Sequence, residues 1–116
     1  MSRTNRCIVV AQRPRYGVPT RDIFKMQSVP TSEPRGGQVL VRTMLLAIDP
    51  YLYGRVTSVS QHSSPLPLGA VMDGATVGRV EVSNHPNFAV GDLVHGAWGW
   101  QDYHVTDGSD LTAVDP

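Results

Sequence analysis

The chain has 116 residues, 41% of them hydrophobic and 17% charged, with ten basic side chains balancing ten acidic ones. This composition suits one packed globule that buries roughly two-thirds of the surface its unfolded form exposes, and it excludes a disordered segment. Zero formal charge gives neither nucleic acid nor an anionic membrane a footing as partner.

The first six residues, Met1 to Arg6, are polar, and the apolar stretch from Ile8 to Ala11 is too short for a signal-peptide core or a membrane span. A soluble, cytoplasmic protein is expected. Eleven glycines and nine prolines leave no uninterrupted helical pattern of a dozen residues, so many short strands joined by turns are predicted. In chain order these are Arg6 to Gln12, Phe24 to Val29, Gln38 to Ala47, Thr76 to Ser83, Asp92 to Ala97, Asp102 to Thr106 and Leu111 to Val114. Cys7, the only cysteine, lies in the first of them, which excludes an internal disulfide and a multi-cysteine zinc site. Lys25, the only lysine, opens the second and leaves little material for lysine catalysis.

In the third strand Val39 to Thr43 does not alternate cleanly and runs into Met44 to Ile48, as expected of a central strand covered on both faces. Val77 to Val82 alternates Val with charge, which predicts one wet face. Gly36-Gly37 and Val90-Gly91-Asp92 have turn chemistry that launches the strands after them. Gln61 to Gly69, with Pro65 and Pro67, is expected to be an ordered loop over a barrel. The whole chain, 1–116, reads as one mainly β unit.

Nothing resembles GxGxxG or a P-loop, so no phosphate cradle is expected on this chain alone. His62, His85, His95 and His104 lack metal-ligand spacing, and singly each reads as a surface or turn histidine. Carboxylates are scattered, and Ser63, Ser64 and Ser109 lack the neighbours of a nucleophile. From Ala47 to Gly54 an apolar run stops at Asp49-Pro50 and continues as Tyr51-Leu52-Tyr53-Gly54-Arg55. Proline at a first helical position, with Asp49 before it, favours one capped helical turn that fixes Tyr51 at a strand end. Such a tyrosine can present a ring face and a hydroxyl to a ligand; taken alone, the segment reads more simply as an N-cap with two packing tyrosines.

Three stretches in order, Ala47 to Arg55, Leu68 to Val80 (LGAVMDGATVGRV) and Val90 to Val105 (VGDLVHGAWGWQDYHV), resemble the zinc-free medium-chain reductase branch that includes prostaglandin, plant double-bond and curcumin reductases. The opening, Asn5-Arg6, Arg13-Pro14 and Gly17-Val18-Pro19, is similar too, so the resemblance covers essentially the entire chain. It implies a GroES-like, partly open β-barrel with short helical turns. The barrel would serve as the substrate-side N-terminal domain of an NADP-dependent alkenal or enone reductase, an oxidoreductase acting on CH–CH bonds. It also implies that the Rossmann cofactor domain is absent from this chain, which would be a piece of a longer, itself inactive alone. NADPH would then bind only the complete enzyme, whose partner is a small enone or enal and which could be a homo-oligomer.

By the same resemblance Pro50, Tyr51 and Met72 lie near cofactor, and Tyr51, His62 and Met72 near substrate. Asp49, Gly54, Gly69 and Gly74 shape the turns, Gly74 by permitting close backbone approach. Zinc is not expected, since Asp49-Pro50 and Leu68-Gly69-Ala70-Val71-Met72 stand where the zinc enzymes of the superfamily carry ligands. Two departures bear on substrate preference: Tyr53 takes an arginine place, and His62 takes the place of a loop tyrosine. His62 could donate to a carbonyl at a pocket mouth or face solvent. A different class stays open, a non-enzymatic GroES-like binding or assembly module, because fold does not fix function.

Overall fold

The computed structural model describes residues 3–13, 20–48 and 66–114. They form seven strands, β1 (Thr4–Val10), β2 (Phe24–Pro30), β3 (Val39–Leu46), β4 (Thr76–Ser83), β5 (Leu93–Gly96), β6 (Tyr103–Thr106) and β7 (Thr112–Ala113), and one 3-10 turn, Arg21–Ile23. Each predicted strand is present, with ends moved by a residue or two as turns take over.

β1 and β2 make an antiparallel ribbon, Thr4 opposite Pro30 and Val10 opposite Phe24, and the other five strands form an antiparallel sheet in the order β6-β3-β4-β5-β7. β3 therefore lies between β6 and β4, and β4 rather than β3 is the middle strand. The ribbon is sewn to the sheet through the free edge of β1. Ile8 N–H donates to the Trp100 carbonyl at 2.9 Å, Met72 N–H to Ile8 at 2.8 Å, and Asp102 N–H to Arg6 at 3.0 Å. With that closure the molecule is a GroES-like, partly open β-barrel.

Two apolar clusters fill it. Val39, Val41, Val80, Val94 and Trp98 pack under the sheet with Phe88 and Leu111, and Val10, Ile23 and Met72 pack at the other end with Phe24, Leu66 and Trp100. Burying each side chain of this size contributes about 1.5–3 kcal/mol. β4 turns Thr76, Gly78 and Val80 inward and leaves Arg79 exposed, the one-faced strand its alternation predicts. At Gly78 a Cβ would stand 2.6 Å from the Arg42 carbonyl oxygen and 2.9 Å from the Trp98 ring, so this layer of the core admits only glycine there.

β3 departs from expectation. Val39, Leu40 and Val41 are fully buried, as a doubly covered strand requires, but register shifts at Leu40/Val41 and Thr43/Leu45 change its phase, and Met44, Leu45 and Leu46 emerge exposed on both faces. Ile48 beyond it is 78% exposed. The glycines of the predicted launching turns, Gly37 and Gly91, have φ of 81° and 97°, which favour glycine. Of the predicted loop, the described part runs through Leu66 and a turn at Leu68-Gly69, where Gly69 has φ 91° and donates its N–H to Val10.

Candidate functional site

The end of β3, which leads into Asp49, lies against the turn that carries Met72. Ala47 N–H donates to the Ala75 carbonyl at 2.9 Å. From the other side Trp100 closes on the same turn: a Cβ on Gly74 would stand 3.0 Å from the indole nitrogen and 3.4 Å from the Ala47 oxygen. Gly74 thus permits a close approach, and the group that approaches is the Trp100 ring, held on Phe24 at a centroid distance of 5.3 Å. The end of β3 and the Met72–Gly74 segment, far apart in sequence, are neighbours through these contacts.

Met72 sits within this arrangement but not on its surface. Its side chain is 2% exposed, enclosed by Val10, Ile23 and Trp100, while its backbone bonds Ile8 on one side and receives Trp100 N–H at 2.8 Å on the other. The thioether anchors the turn from beneath. Asp73 then accepts the Gly74 N–H at 3.0 Å and tightens it. Asp49, Pro50, Tyr51, Gly54 and His62 lie outside the described residues.

Grooves open on both sides of the strand end. One, of about 300 Å³, is walled by Ile8, Met26, Met44, Leu46 and Trp100 and rimmed by Arg6 and Asp102. The other, of about 290 Å³, runs past Leu45, Leu46, Ala75, Val77 and His95. Leu46 borders both.

At the rim, Arg6 Nε donates to Asp102 Oδ2 at 2.7 Å, and the Arg6 backbone N–H adds a second bond to that oxygen. The guanidinium's hydrogen bond holds the Asp102 carboxyl below its ordinary range and the carboxylate holds Arg6 above its own. Behind them the Cys7 thiol is pushed up, first by burial and then by the charge of Asp102.

A half-buried polar chain supports this wall. Trp98 Nε1 donates to Thr43 Oγ1 at 2.7 Å, Thr43 donates to the Gln101 carbonyl at 2.6 Å, and Asn5 Nδ2 donates to Gln101 Oε1 at 3.0 Å. His104, which reads as a surface histidine in the sequence, stands on β6 with its ring stacked on Trp98 at 5.3 Å and Nε2 2.8 Å from Asp110 Oδ2. Burial opposes ionisation of Asp110, yet bonds from Thr106 and His104 outweigh it and lower its pKa. Trp98 lies in the connection from β5 to β6 and Asp110 in the turn after β6, so His104 meets both across short connections. Among the described residues no group of three His, Cys, Asp or Glu side chains could hold a metal ion, and no helix is long and apolar enough to cross a membrane.

The chemistry of such a site is that of a wall: apolar and aromatic, with its one charged pair self-neutralised, and with two buried polar atoms, Trp100 Nε1 and Thr76 Oγ1, left without a hydrogen-bond partner among the described residues. Residues 6–114 match the family described as the N-terminal domain of oxidoreductase. The NADPH-dependent curcumin reductase of Escherichia coli (strain K12) is 45% identical over 110 residues, covering 95% of this chain and 32% of its own length. Prostaglandin reductase 1 of Oryctolagus cuniculus is 32% identical over 96 residues, covering 83% of this chain and 26% of its own. The CurA protein of Vibrio vulnificus, whose structure is known alone and with NADPH, superimposes with a TM-score of 0.86 at 40% identity, covering 94% of this chain and 32% of its own. The chain therefore spans about a third of the length of these relatives. Matched from end to end of its barrel, it belongs to the family of oxidoreductase N-terminal domains, in the medium-chain reductase branch that includes curcumin and prostaglandin reductases.

Proposed function

We propose that this barrel is the substrate-side wall of an NADPH-dependent reductase that saturates the C=C bond of α,β-unsaturated ketones or aldehydes, without zinc. The observation that carries the reading is 45% identity over 95% of the chain to an NADPH-dependent curcumin reductase. The apolar strand end of β3 and the Met72–Gly74 turn suit the outer side of a cleft that must exclude water from a hydride transfer.

NADPH fits this chain only at its uncharged end. The sequence has no glycine-rich phosphate turn, and Arg6 at the groove rim is committed to Asp102. Phosphates and ribose would be held by a Rossmann domain outside this chain, with Pro50, Tyr51 and the Met72 turn near the nicotinamide. When bound, the cofactor supplies a hydride to the β-carbon of the substrate. This chain's part is to orient and desolvate. Met72, buried as it is, acts through the turn it anchors, Gly69 and Gly74 give the backbone its turns, and Asp49 and Gly54 shape the segment carrying Tyr51. Tyr51 packs against substrate, and His62 donates to its carbonyl at the mouth.

The test is spectrophotometric. A longer chain, extended with the remaining two-thirds of the E. coli curcumin reductase, should oxidise NADPH in the presence of an enone and not of the corresponding saturated ketone. The same preparation should carry no stoichiometric zinc by elemental analysis. Enone-independent turnover, or about one zinc per chain, would overturn the assignment.

A further inference from the structure

We infer that Asp102 sets the substrate class of the reductase proposed above: by occupying Arg6 it admits neutral enones to the groove beside Trp100 and turns away those with an anionic tail. This rests on that reading and adds to it which enones the wall accepts.

The groove is continuous with the turn assigned to the reacting end of the substrate, because the Trp100 ring serves both. Its indole nitrogen lies 3.0 Å from where a Gly74 Cβ would stand, and its ring walls the groove together with Met26, Met44 and Leu46. A substrate whose reacting end meets the Met72–Gly74 turn therefore lays its tail along this groove. Among the described residues, the only charged side chains that line it are Arg6 and Asp102. A free arginine there would be a ready partner for a carboxylate or a phosphate.

Arg6 is not free. Nε donates to Asp102 Oδ2 at 2.7 Å and Nη2 to Oδ1 at 3.3 Å, so the carboxylate fills the fork that another anion would need. Backbone bonds hold the pair in register: the Arg6 N–H donates to Oδ2 at 3.1 Å, and the Asp102 N–H donates to the Arg6 carbonyl at 3.0 Å. Asp102 cannot swing off the guanidinium without also giving up the Arg6 backbone bond. Arg42, whose charge also reaches Asp102, is itself paired with Glu81 at 3.7 Å. An anionic tail entering the groove gives up water and meets a carboxylate already in place, whereas a neutral tail gives up little.

The pair also ties β1 to the segment entering β6, so the test needs a sign that stability does not carry. Asp102→Asn frees Arg6, and Arg6→Gln frees Asp102; loss of the tie weakens both alike, but their selectivities should move apart. The chain extended with the rest of the E. coli curcumin reductase would be assayed at low salt on a straight-chain methyl enone ending in a carboxylate and on the methyl ester of that acid. Relative to the wild type, the acid-to-ester ratio of kcat/KM should rise about threefold in Asp102→Asn and fall in Arg6→Gln, on the scale of an exposed ion pair. The double variant, neutral again at the rim, should return towards the wild-type ratio, and about 0.5 M salt should shrink both shifts. Binding of the saturated acid and ester by this chain, followed through the Trp100 indole N–H signal in NMR, should give the same order without any turnover. Ratios unchanged in both variants, or moved the same way in both, would overturn the inference, and so would shifts indifferent to salt. Absence of enone turnover with the binding order as expected would count against the proposed reaction and leave the selectivity of the groove standing.

Discussion

Gly99 and Met72 are in contact so close that no side chain fits between them: a Cβ on Gly99 would lie 2.4 Å from the Met72 carbonyl oxygen, and Gly99 has φ 82°. That oxygen also accepts the Trp100 N–H at 2.8 Å, so it cannot move aside without loosening the ring that walls the groove. Gly99→Ala should therefore combine left-handed backbone strain with a clash against backbone, costing about 1–3 kcal/mol from overpacking on top of the strain. Gly37→Ala is the control, with nearly the same φ of 81° and nothing within 4 Å. Urea unfolding should show a larger loss for Gly99→Ala than for Gly37→Ala. Equal losses would mean that the contact with Met72 is not what requires glycine.

The Arg6–Asp102 pair ties β1 to the segment entering β6 and makes stability depend on acid. Asp102 titrates below its unfolded value, first because of the Arg6 hydrogen bond. Its contribution is therefore present above that unfolded value and is lost as pH falls through the lower, folded one. Asp102→Asn should lower the urea midpoint at pH 7 and differ progressively less from the wild type as the pH is brought below 4. A difference independent of pH would show that the carboxylate's charge is not involved.

Cys7 is buried at 6% exposure, and its thiol is pushed up by burial and by the neighbouring Asp102 charge. Nucleophilic thiol chemistry requires the thiolate, so at pH 8 Cys7 in the folded chain should react with Ellman's reagent on the order of tenfold or more slowly than in urea. Asp102→Asn should speed the folded-state reaction. Fast labelling of the folded chain would place the thiol at the surface.

Strand positions were legible because turn chemistry punctuates them. Gly37 and Gly91 launch β3 and β5 with the left-handed backbone that only glycine adopts cheaply, and the alternation in β4 signals a strand with one wet face. Burial was harder to read where an apolar run says only that something covers it. Val39–Val41 are covered by this chain and Met44–Leu46 are not, a distinction set by register shifts and by what packs above. Met72 shows the same ambiguity from the other side, since a residue at a functional turn can face the cleft or hold the turn from below. Asn5 and Gln101, 96 residues apart, meet where Gln101 bridges the edge of β1, and no local spacing anticipates that, while His104 meets Trp98 across the short connection from β5 to β6.

The Thr43 hydroxyl is the junction of the polar chain behind the groove, accepting from Trp98 Nε1 and donating to the Gln101 carbonyl. Thr43→Val keeps the shape and removes both bonds, leaving the N–H of Trp98, a residue only 6% exposed, without a partner. An unsatisfied buried donor costs about 1–3 kcal/mol. Thr43→Ser keeps the hydroxyl and loses one methyl, worth about 0.8 kcal/mol, so the valine variant should be the less stable of the two even though it is the more hydrophobic. Trp98→Phe removes the donor instead, and combined with Thr43→Val it should cost less than the sum of the single changes, because once the indole N–H is gone the lost acceptor no longer strands it. A coupling of about 0.5–3 kcal/mol in that cycle would measure the interaction. Thr43→Val as stable as Thr43→Ser, with additive losses in the cycle, would show that the hydroxyl is incidental and that packing alone holds this wall.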